Sequence, residues 1–578
     1  GTVECIWFNQ PYREKQFKKG EEYYFSGNFE FSFGRYQLIN PQAINSHDYD
    51  KSDRKFQPVY PSRGSLKSQD FAKFIRAIKP FFVNIPDLIP DHPGRAEALF
   101  KLHFPDNEKD VMSGRAYLAF EELFALLLSG ELNRQENFKL KSLPIPYDIE
   151  DIKRAIASLP FALTNAQRRA VWEIIQDLDK TEPMNRLLQG DVGSGKTLVA
   201  ALVAFIAMKS GVQTALMAPT EVLANQHAIG ISELFDKLGL RVALLTGSTK
   251  NKKLLKSQIA EGNADLIIGT HALITEDVAF KNLGLAIIDE QHRFGVKQRQ
   301  ALLKKANFMP HLLSMTATPI PRSLQLTVFG DLSVSILDEL PAGRQPIKTK
   351  ITSPNSLDQL WDFIREQLKS GHQIYYICKM IEDSGELSSV KKEHQKIAKI
   401  FPDFKVAHLY GGMKAQEKDQ IMQDFANNNT QILVSTTVVE VGVNVPNATV
   451  MVIADADHYG LSQLHQLRGR VGRGESASYC FLISSDSSAP TRRLKEIEKS
   501  NDGFYLAEVD LKMRGPGEIY GALQHGVLDL KIANISDTRT ISAAQIAAKK
   551  FASSSPDMIK YPELDRVLKK YQRLTILN

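Results

Sequence analysis

Two α/β domains in tandem, each on a parallel sheet, are the centre of the multidomain α/β architecture that this 578-residue sequence predicts. Three observations predict it. Short apolar runs alternate with helical patterns over residues 184–320, and a second such series runs over 372–483. The segment between the two series, "ELPAGRQPIK", carries two prolines and a glycine and reads as a linker. The chain is also too long for one compact core, and about three to five domains are expected at this length.

The elements follow in order. Residues 1–46 alternate aromatic and polar side chains, as in "EEYYFSGNFEFSFGRYQLIN", a period that suits antiparallel strands. Residues 65–138 read as helical, with "AYLAFEELFALLLSGEL" the clearest amphipathic stretch. The strands of the first series are "RLLQG", "TALMAP", "VALLTG", "DLIIGT", "LAIIDE" and "LLSMTAT"; those of the second are "QIYYIC", "KVAHLY", "QILVSTT", "TVMVIADA" and "ASYCFLI". Each is a continuous apolar run ending in small or polar residues, the mark of a parallel sheet covered on both faces. The last hundred residues mix helices with a Gly/Pro-rich turn at "RGPGE".

Composition narrows the class. The chain is 43% hydrophobic and 24% charged, with a net charge of +6 that permits a polyanionic partner without requiring one. Cys5, Cys378 and Cys480 are too few and too far apart for a disulfide framework or a zinc site, so a reducing, cytoplasmic setting is expected. The most apolar helical stretch, "TLVAALVAFIAM" (197–208), is too short to span a bilayer, and no membrane association is expected.

"GDVGSGKT" (190–197) matches the phosphate-loop pattern in full, between an apolar strand and a helix. Gly190, Asp191, Gly193, Ser194 and Gly195 would wrap backbone N–H groups around phosphate oxygens at a helix N-terminus. Lys196 would reach the β/γ-phosphates and Thr197 would ligate Mg²⁺, which makes ATP and Mg²⁺ the expected cofactors. "LAIIDEQHRFGVKQR" (285–299) puts two carboxylates at the tip of an apolar strand, a costly arrangement unless a metal or partner offsets it. Opposite a triphosphate, Asp289 would hold Mg²⁺ through water and Glu290 would polarise the attacking water. Positive charge on the transferring phosphoryl group is still needed. "QLRGRVGRG" (466–474) offers it at the end of the second α/β domain, with Gln466, Arg470 and Arg473 as candidates.

In this order and spacing, "GDVGSGKT", "DEQHRFGVKQR", "SMTATPIPRS" and "HQLRGRVGRG" resemble motifs I, II, III and VI of superfamily 2 helicases. "IIGTHALITEDVAFKNLGLAIIDEQHRFGVKQR", "NDGFYLAEVDLKMRGPGEIYGALQHG" and "WFNQPY" narrow the resemblance to the RecG-type branched-DNA translocases, over essentially the whole chain. The resemblance implies two RecA-like motor domains, preceded by a partial OB-fold wedge with a helical linker and followed by a C-terminal helical-hairpin region. The boundaries it implies are 1–48 for the wedge, 49–150 for the linker, 151–345 and 346–485 for the motors, and 486–578 for the translocation region.

Residue by residue, Phe161 and Gln167 resemble the motif that reads adenine. "MAPTEVLANQH" (217–227), "LTGS" (245–248) and "GTHAL" (269–273) resemble the motifs that track a DNA strand. Thr316 and Thr318 resemble the element coupling hydrolysis to movement, and Glu440 and Gly442 fall in the motif near nucleotide and strand. Arg493, Arg514 and Gln524 fall at the arginine and glutamine positions of the translocation motif. In the wedge, Phe33 and Tyr36 are candidates for stacking on bases at the junction. Family members carry a helical region and the first wedge strands before "WFNQPY", so the resemblance implies an N-terminally truncated wedge. At "LYGGMK" (409–414) Tyr410 stands where the family has histidine.

The implied activity is ATP-driven, 3′–5′ remodelling of stalled forks and Holliday junctions by a monomer, with a single-stranded DNA-binding protein as a family partner. The transcription-repair coupling translocases share the motor, but they read Asp-Glu-Glu-Gln where this chain has "DEQH". An RNA helicase would leave the wedge and the "RGPGE" region without a purpose. A non-enzymatic, nucleotide-regulated clamp would be expected to lack Lys196, Glu290 or Arg473, and all three are present.

Overall fold

The computed structural model describes residues 2–578 except 9, 11–12, 14–15, 33–34, 47–55, 57, 90–91, 139, 318–331, 342–344, 380–385, 441–444, 475, 486–489, 523–529, 535–536, 555–556 and 576–578. For 28, 31–32, 42, 137–138, 386–388, 415, 439–440, 514–522 and 572–575 it describes the backbone alone. The chain divides into two compact units, Gly1–Glu122 and Leu123–Asn578.

In the first unit, strands β1 (Val3–Ile6), β2 (Tyr23–Ser32) and β3 (Arg35–Asn45) form a sheet of order β1-β3-β2. The β2–β3 pair is antiparallel, as the alternating pattern predicts, but β1 runs parallel to β3. Alternation marks a sheet with one buried face, which favours antiparallel pairing without fixing the direction of each strand, so the parallel β1 is not readable from it. Trp7, Phe17 and Phe25 pack as a cluster, and the Trp7 indole Nε1–H donates to the Pro41 carbonyl at 2.8 Å. Helices Ser68–Ala77 and Arg95–His103 follow within the expected helical region, with Phe82 buried among Phe100, His103 and Phe104.

The second unit contains both parallel sheets. The first is built from β4 (Asn185–Gly190), β5 (Gln213–Met217), β6 (Val242–Leu245), β7 (Leu266–Gly269), β8 (Leu283–Ile288), β9 (His311–Thr316) and β10 (Ser333–Leu337). Its order is β10-β4-β9-β8-β5-β7-β6. The second has β11 (Lys348–Thr352), β12 (Gln373–Ile377), β13 (Val406–Leu409), β14 (Ile432–Ser435), β15 (Ala448–Ile453) and β16 (Tyr479–Ile483), in the order β11-β16-β15-β12-β14-β13.

Continuous apolar strands have two faces to bury, and both are covered. On β8, Leu285 and Ile287 enter one core cluster while Ala286 and Ile288 enter the other. On β12, Tyr375 and Ile377 face one cluster while Ile374 and Tyr376 face the other. The two sheets also repeat a polar device. Gln213 Nε2 donates to the Ile259 and Ala264 carbonyls, and Gln373 Nε2 donates to those of Phe425 and Thr430. Each glutamine thus ties the last turn of a helix, Lys252–Glu261 or Ala415–Ala426, to the loop that follows it.

Two edge strands, β10 and β11, escaped the apolar-run criterion. β11 is "KTKIT", polar everywhere but Ile351, and only its pairing with β16 makes it a strand. "RGPGE" does not form a separate turn: its backbone lies inside the helix Gly503–Ala522, which follows the helix Arg492–Lys499. The eleven preceding residues are helical and packed on Leu461–Arg468, and this tertiary support outweighs the weak helix propensity of Gly515, Pro516 and Gly517.

Candidate active site

β4 ends at Gly190 and the helix Lys196–Lys209 begins six residues later, so the intervening loop must turn tightly and keep its N–H groups inward. Gly193 and Gly195 take φ of 81° and 91°, a region that L side chains rarely adopt. At Gly195 space is closed as well: a Cβ would lie 2.2 Å from Gln167 Nε2. At Gly190 a Cβ would meet Ser194 Oγ at 2.5 Å. The loop is therefore held from behind, with Gln167 Nε2 donating to the Ser194 carbonyl at 2.8 Å. Gln167 Oε1 accepts from the Thr164 N–H, so both ends of this amide are engaged in fixing the loop. Phe161, its partner in the adenine-reading motif, is half exposed.

Lys196 is buried, and its Nζ donates to the Gly190 and Asp191 carbonyls at 2.7 and 2.9 Å. Burial pushes its ammonium pKa down, and the carboxylates of Glu290, Asp289 and Asp191 oppose that without overcoming it. Thr197 is half-buried in the first turn of the helix.

Across the site, β8 delivers Asp289 and Glu290. Burial alone would raise the Asp289 carboxyl, but a 2.8 Å hydrogen bond with His227 Nε2, with the charges of His227 and Lys196, holds it below the ordinary range. Glu290 goes the other way: burial and the neighbouring Asp289 charge raise it, against Lys196 and Arg470. Two adjacent carboxyls are thereby driven apart, the pattern of a metal-side anion beside a candidate base. Glu290 has φ of 49°, strained for a non-glycine residue, and its Oε2 accepts from the Ala317 N–H at 3.3 Å. Thr316, buried at the end of β9, therefore adjoins a backbone contact to the candidate base.

The second motor domain closes the site. Arg470, only 4% exposed, stands near enough for its charge to act on both Lys196 and Glu290. Arg470 and Arg473 also both bear on the hydroxyl of Tyr375, whose pKa burial pushes up to about 12. Gln466 is half-buried on the helix Leu461–Arg468, and a Cβ on the following Gly469 would lie 3.2 Å from Val192 of the phosphate loop. Asp191 Oδ1 receives His465 Nε2 at 2.6 Å.

Arg493 donates to the Tyr459 carbonyl at 3.1 Å. Tyr36 is exposed on the N-terminal sheet, stacked on Phe29. Phe33, Thr318, Gly442 and Gln524 lie outside the described residues, as do the side chains of Glu440 and Arg514. The sequence did not single out His227, Ala317, His465 or Arg468. All four stand inside the quoted motifs "MAPTEVLANQH", "SMTATPIPRS" and "HQLRGRVGRG", the signal that was there to use.

Metal requirements are modest. Among the described residues no cluster of three His, Cys, Asp or Glu side chains is placed to hold an ion alone. An ionised Asp289 and the Thr197 hydroxyl are hard oxygen donors of the kind Mg²⁺ shares with substrate phosphates. Among the described residues, no helix is long and apolar enough to cross a membrane.

Comparison with known proteins agrees with this geometry. Residues 164–327 match the DEAD/DEAH box helicase family and 355–475 the helicase conserved C-terminal domain. Residues 1–80 match the RecG wedge domain, and 500–577 match ATP-dependent DNA helicase RecG, domain 3, C-terminal. ATP-dependent DNA helicase RecG of Bacillus subtilis is 42% identical over 568 residues, covering 96% of this chain and 83% of that protein. The Synechocystis protein of the same name is 45% identical over 89% of this chain, which spans 64% of that relative's length. A solved structure of RecG bound to a three-way DNA junction superposes with a TM-score of 0.74 at 38% identity, over 94% of this chain and 73% of that one. The chain belongs to the family of ATP-dependent DNA helicase RecG.

Proposed function

We propose that this chain is an ATP-dependent DNA helicase that spends ATP hydrolysis on remodelling branched DNA, stalled forks and Holliday junctions among its substrates. The observation that carries the reading is Arg470: a buried guanidinium from the second motor domain acts on Lys196 and Glu290 of the first. A hydrolytic site assembled from two domains works only when they are closed on each other, so a turnover cycle can be converted into domain movement.

In this reading the phosphate loop and Lys196 bind and orient the triphosphate, and Glu290 positions the attacking water and takes its proton. Arg470, with Arg473 and Gln466 beside it in sequence, neutralises charge that builds on the γ-phosphate. Asp289 and Thr197 would hold Mg²⁺, whose contribution when bound is charge neutralisation on the phosphates. The assigned roles of Phe161 at adenine, of Thr316, Thr318, Glu440 and Gly442 in coupling, and of Arg493, Arg514 and Gln524 in translocation belong to the same reading. So do the domain boundaries given above, 3′–5′ polarity, a monomeric state, a cytoplasmic setting and a single-stranded DNA-binding partner. What supports them is the family and, for the junction, a relative solved on three-way DNA.

The test is ATP hydrolysis by this chain and by Lys196→Ala with forked, linear duplex and single-stranded DNA at matched salt. Fork-selective stimulation that vanishes in Lys196→Ala is expected. Equal stimulation by linear duplex would keep the motor and remove the branch specificity. No turnover with any DNA would sink the reading.

A further inference from the structure

Asp191 is the second residue of the phosphate loop, yet its carboxylate faces away from the loop's own N–H groups. It accepts from His465 Nε2 at 2.6 Å, and the backbone N–H of Gly503, the first residue of the helix Gly503–Ala522, helps to hold its carboxyl below the ordinary range. His465 passes the connection on: its Nδ1 lies 2.9 Å from Arg468 Nη2. Arg468 is 2% exposed, and among the described residues no carboxylate pairs with it. Its Nη1 instead donates to the carbonyls of Ile497 at 2.7 Å and Ser500 at 2.9 Å, and to Thr349 Oγ1 at 3.3 Å.

The donors fix the state of the imidazole. Guanidinium nitrogen can only donate, so His465 Nδ1 must accept, and the ring proton must sit on Nε2, where it is given to Asp191. The bonds therefore run one way, from Arg468 through His465 to Asp191. Each link is buried or nearly so, where hydrogen bonds are least screened.

We propose that Asp191, His465 and Arg468 form a positioning relay that ties the phosphate loop of the first motor domain to the paired helices Arg492–Lys499 and Gly503–Ala522. Displacement of Asp191 when phosphates enter or leave the loop is carried through His465 to the carbonyls that end the first helix and to the amide that begins the second. The relay rests on the ATP-hydrolysis reading above but adds something to it: it assigns the transmission from nucleotide to C-terminal helices to three named side chains, none of which performs chemistry.

The test uses the full chain with His465→Ala and, as the conservative replacement, His465→Gln, whose amide can accept from Arg468 and donate to Asp191. Two quantities are measured: forks converted per ATP hydrolysed, and hydrogen exchange over 497–510 with and without a non-hydrolysable ATP analogue. The relay predicts that His465→Ala keeps fork-stimulated hydrolysis within about threefold, converts forks at least about tenfold less per ATP, and loses the nucleotide response of exchange over 497–510. His465→Gln should recover at least about half of both. A His465→Ala protein with the unmodified ratio and exchange response would overturn the relay, and so would a parallel fall in both activities that His465→Gln does not reverse. Absence of hydrolysis by the unmodified chain would overturn the functional reading separately, because the exchange response to bound nucleotide is read without turnover.

Discussion

His227 Nε2 lies 2.8 Å from Asp289 Oδ2, joining two buried side chains that are 62 positions apart in the chain. Asp289 needs that contact. Burial by itself would raise its carboxyl, and the His227 contact opposes that and favours the charged form a metal ligand needs. Groups that orient a metal ligand are worth about 10–100-fold in metal affinity. His227→Ala is therefore expected to raise the Mg²⁺ concentration for half-maximal ATP hydrolysis by roughly tenfold, with saturating Mg²⁺ restoring much of the rate. A variant with an unaltered Mg²⁺ titration would show that Asp289 is not the metal-side carboxylate.

Glu290 is the opposite case. Its folded-state pKa is raised by burial and by Asp289, so the fold favours the neutral form. That contribution to stability is full below the unfolded value of about 4.3 and is lost as pH rises through the raised folded value. At neutral pH the ionised carboxylate thus costs stability. Glu290→Gln should raise the melting temperature at pH 7 by roughly 2 °C and by nothing near pH 4. Its ATP turnover should fall by about 10²–10⁴ with nucleotide binding retained. Equal melting shifts at both pH values would contradict the assigned direction.

Arg470 supplies the inter-domain charge. Removing an arginine that stabilises a phosphoryl-transfer transition state costs about 10³–10⁵ in rate. Arg470→Ala should lose hydrolysis on that scale while keeping ATP affinity within a few-fold, and Arg470→Lys should not rescue it, since an ammonium lacks the planar fork. Hydrolysis within tenfold of the unmodified chain would move the role to Arg473.

Why some of this was legible and some was not follows from where the partners come from. Gly190–Thr197, Asp289 and Glu290 are written as contiguous strings whose chemistry is local. His465 reaches Asp191 across 274 positions, and its residue type at that place says nothing until the second sheet is folded against the first. Ala317 contributes a backbone N–H, which any residue but proline would supply, so its identity holds no clue. Gln167 was legible as a site residue from its motif, while the bond by which its amide braces the loop through Ser194 was not. The central strands were readable because both faces are buried. β10 and β11 are broken by serine, threonine or lysine and lack a continuous apolar run, whereas the edge strands β6 and β13 keep enough apolar residues to be read.

The loop geometry separates shape from strain. Gly195 and Gly211 both have positive φ, 91° and 73°. An alanine at Gly211 meets nothing within 4 Å and should cost only about 1 kcal/mol of backbone strain, with ATP affinity unchanged. An alanine at Gly195 drives into Gln167 Nε2 and displaces the brace on Ser194. Gly195→Ala should therefore weaken ATP binding by more than about tenfold, measured by titration with a fluorescent nucleotide. Similar affinities for the two variants would mean that the Gln167 brace does not shape the loop.

Phe29 and Tyr36 stack at 5.3 Å on the N-terminal sheet, with planes 16° apart and exposures of 58% and 52%. The register pairs Phe31 with Tyr36 and Phe29 with Leu38, so the two rings are diagonal neighbours across β2 and β3. Tyr36 is thus not a core residue; its ring lies open to solvent, a platform of the kind on which unpaired bases stack. Base–aromatic stacking is worth about 1–3 kcal/mol per base, or about 5–150-fold in affinity. Tyr36→Ala should weaken binding to forks with a single-stranded arm by an amount in that range. It should leave hydrolysis on linear duplex unchanged, because the ring is remote in sequence from every phosphate-site residue. Only about 1 kcal/mol of folding stability is at stake, since the cross-strand pair is exposed. A fork affinity that Tyr36→Ala leaves intact, with the sheet still folded by circular dichroism, would return this aromatic pair to a purely structural role.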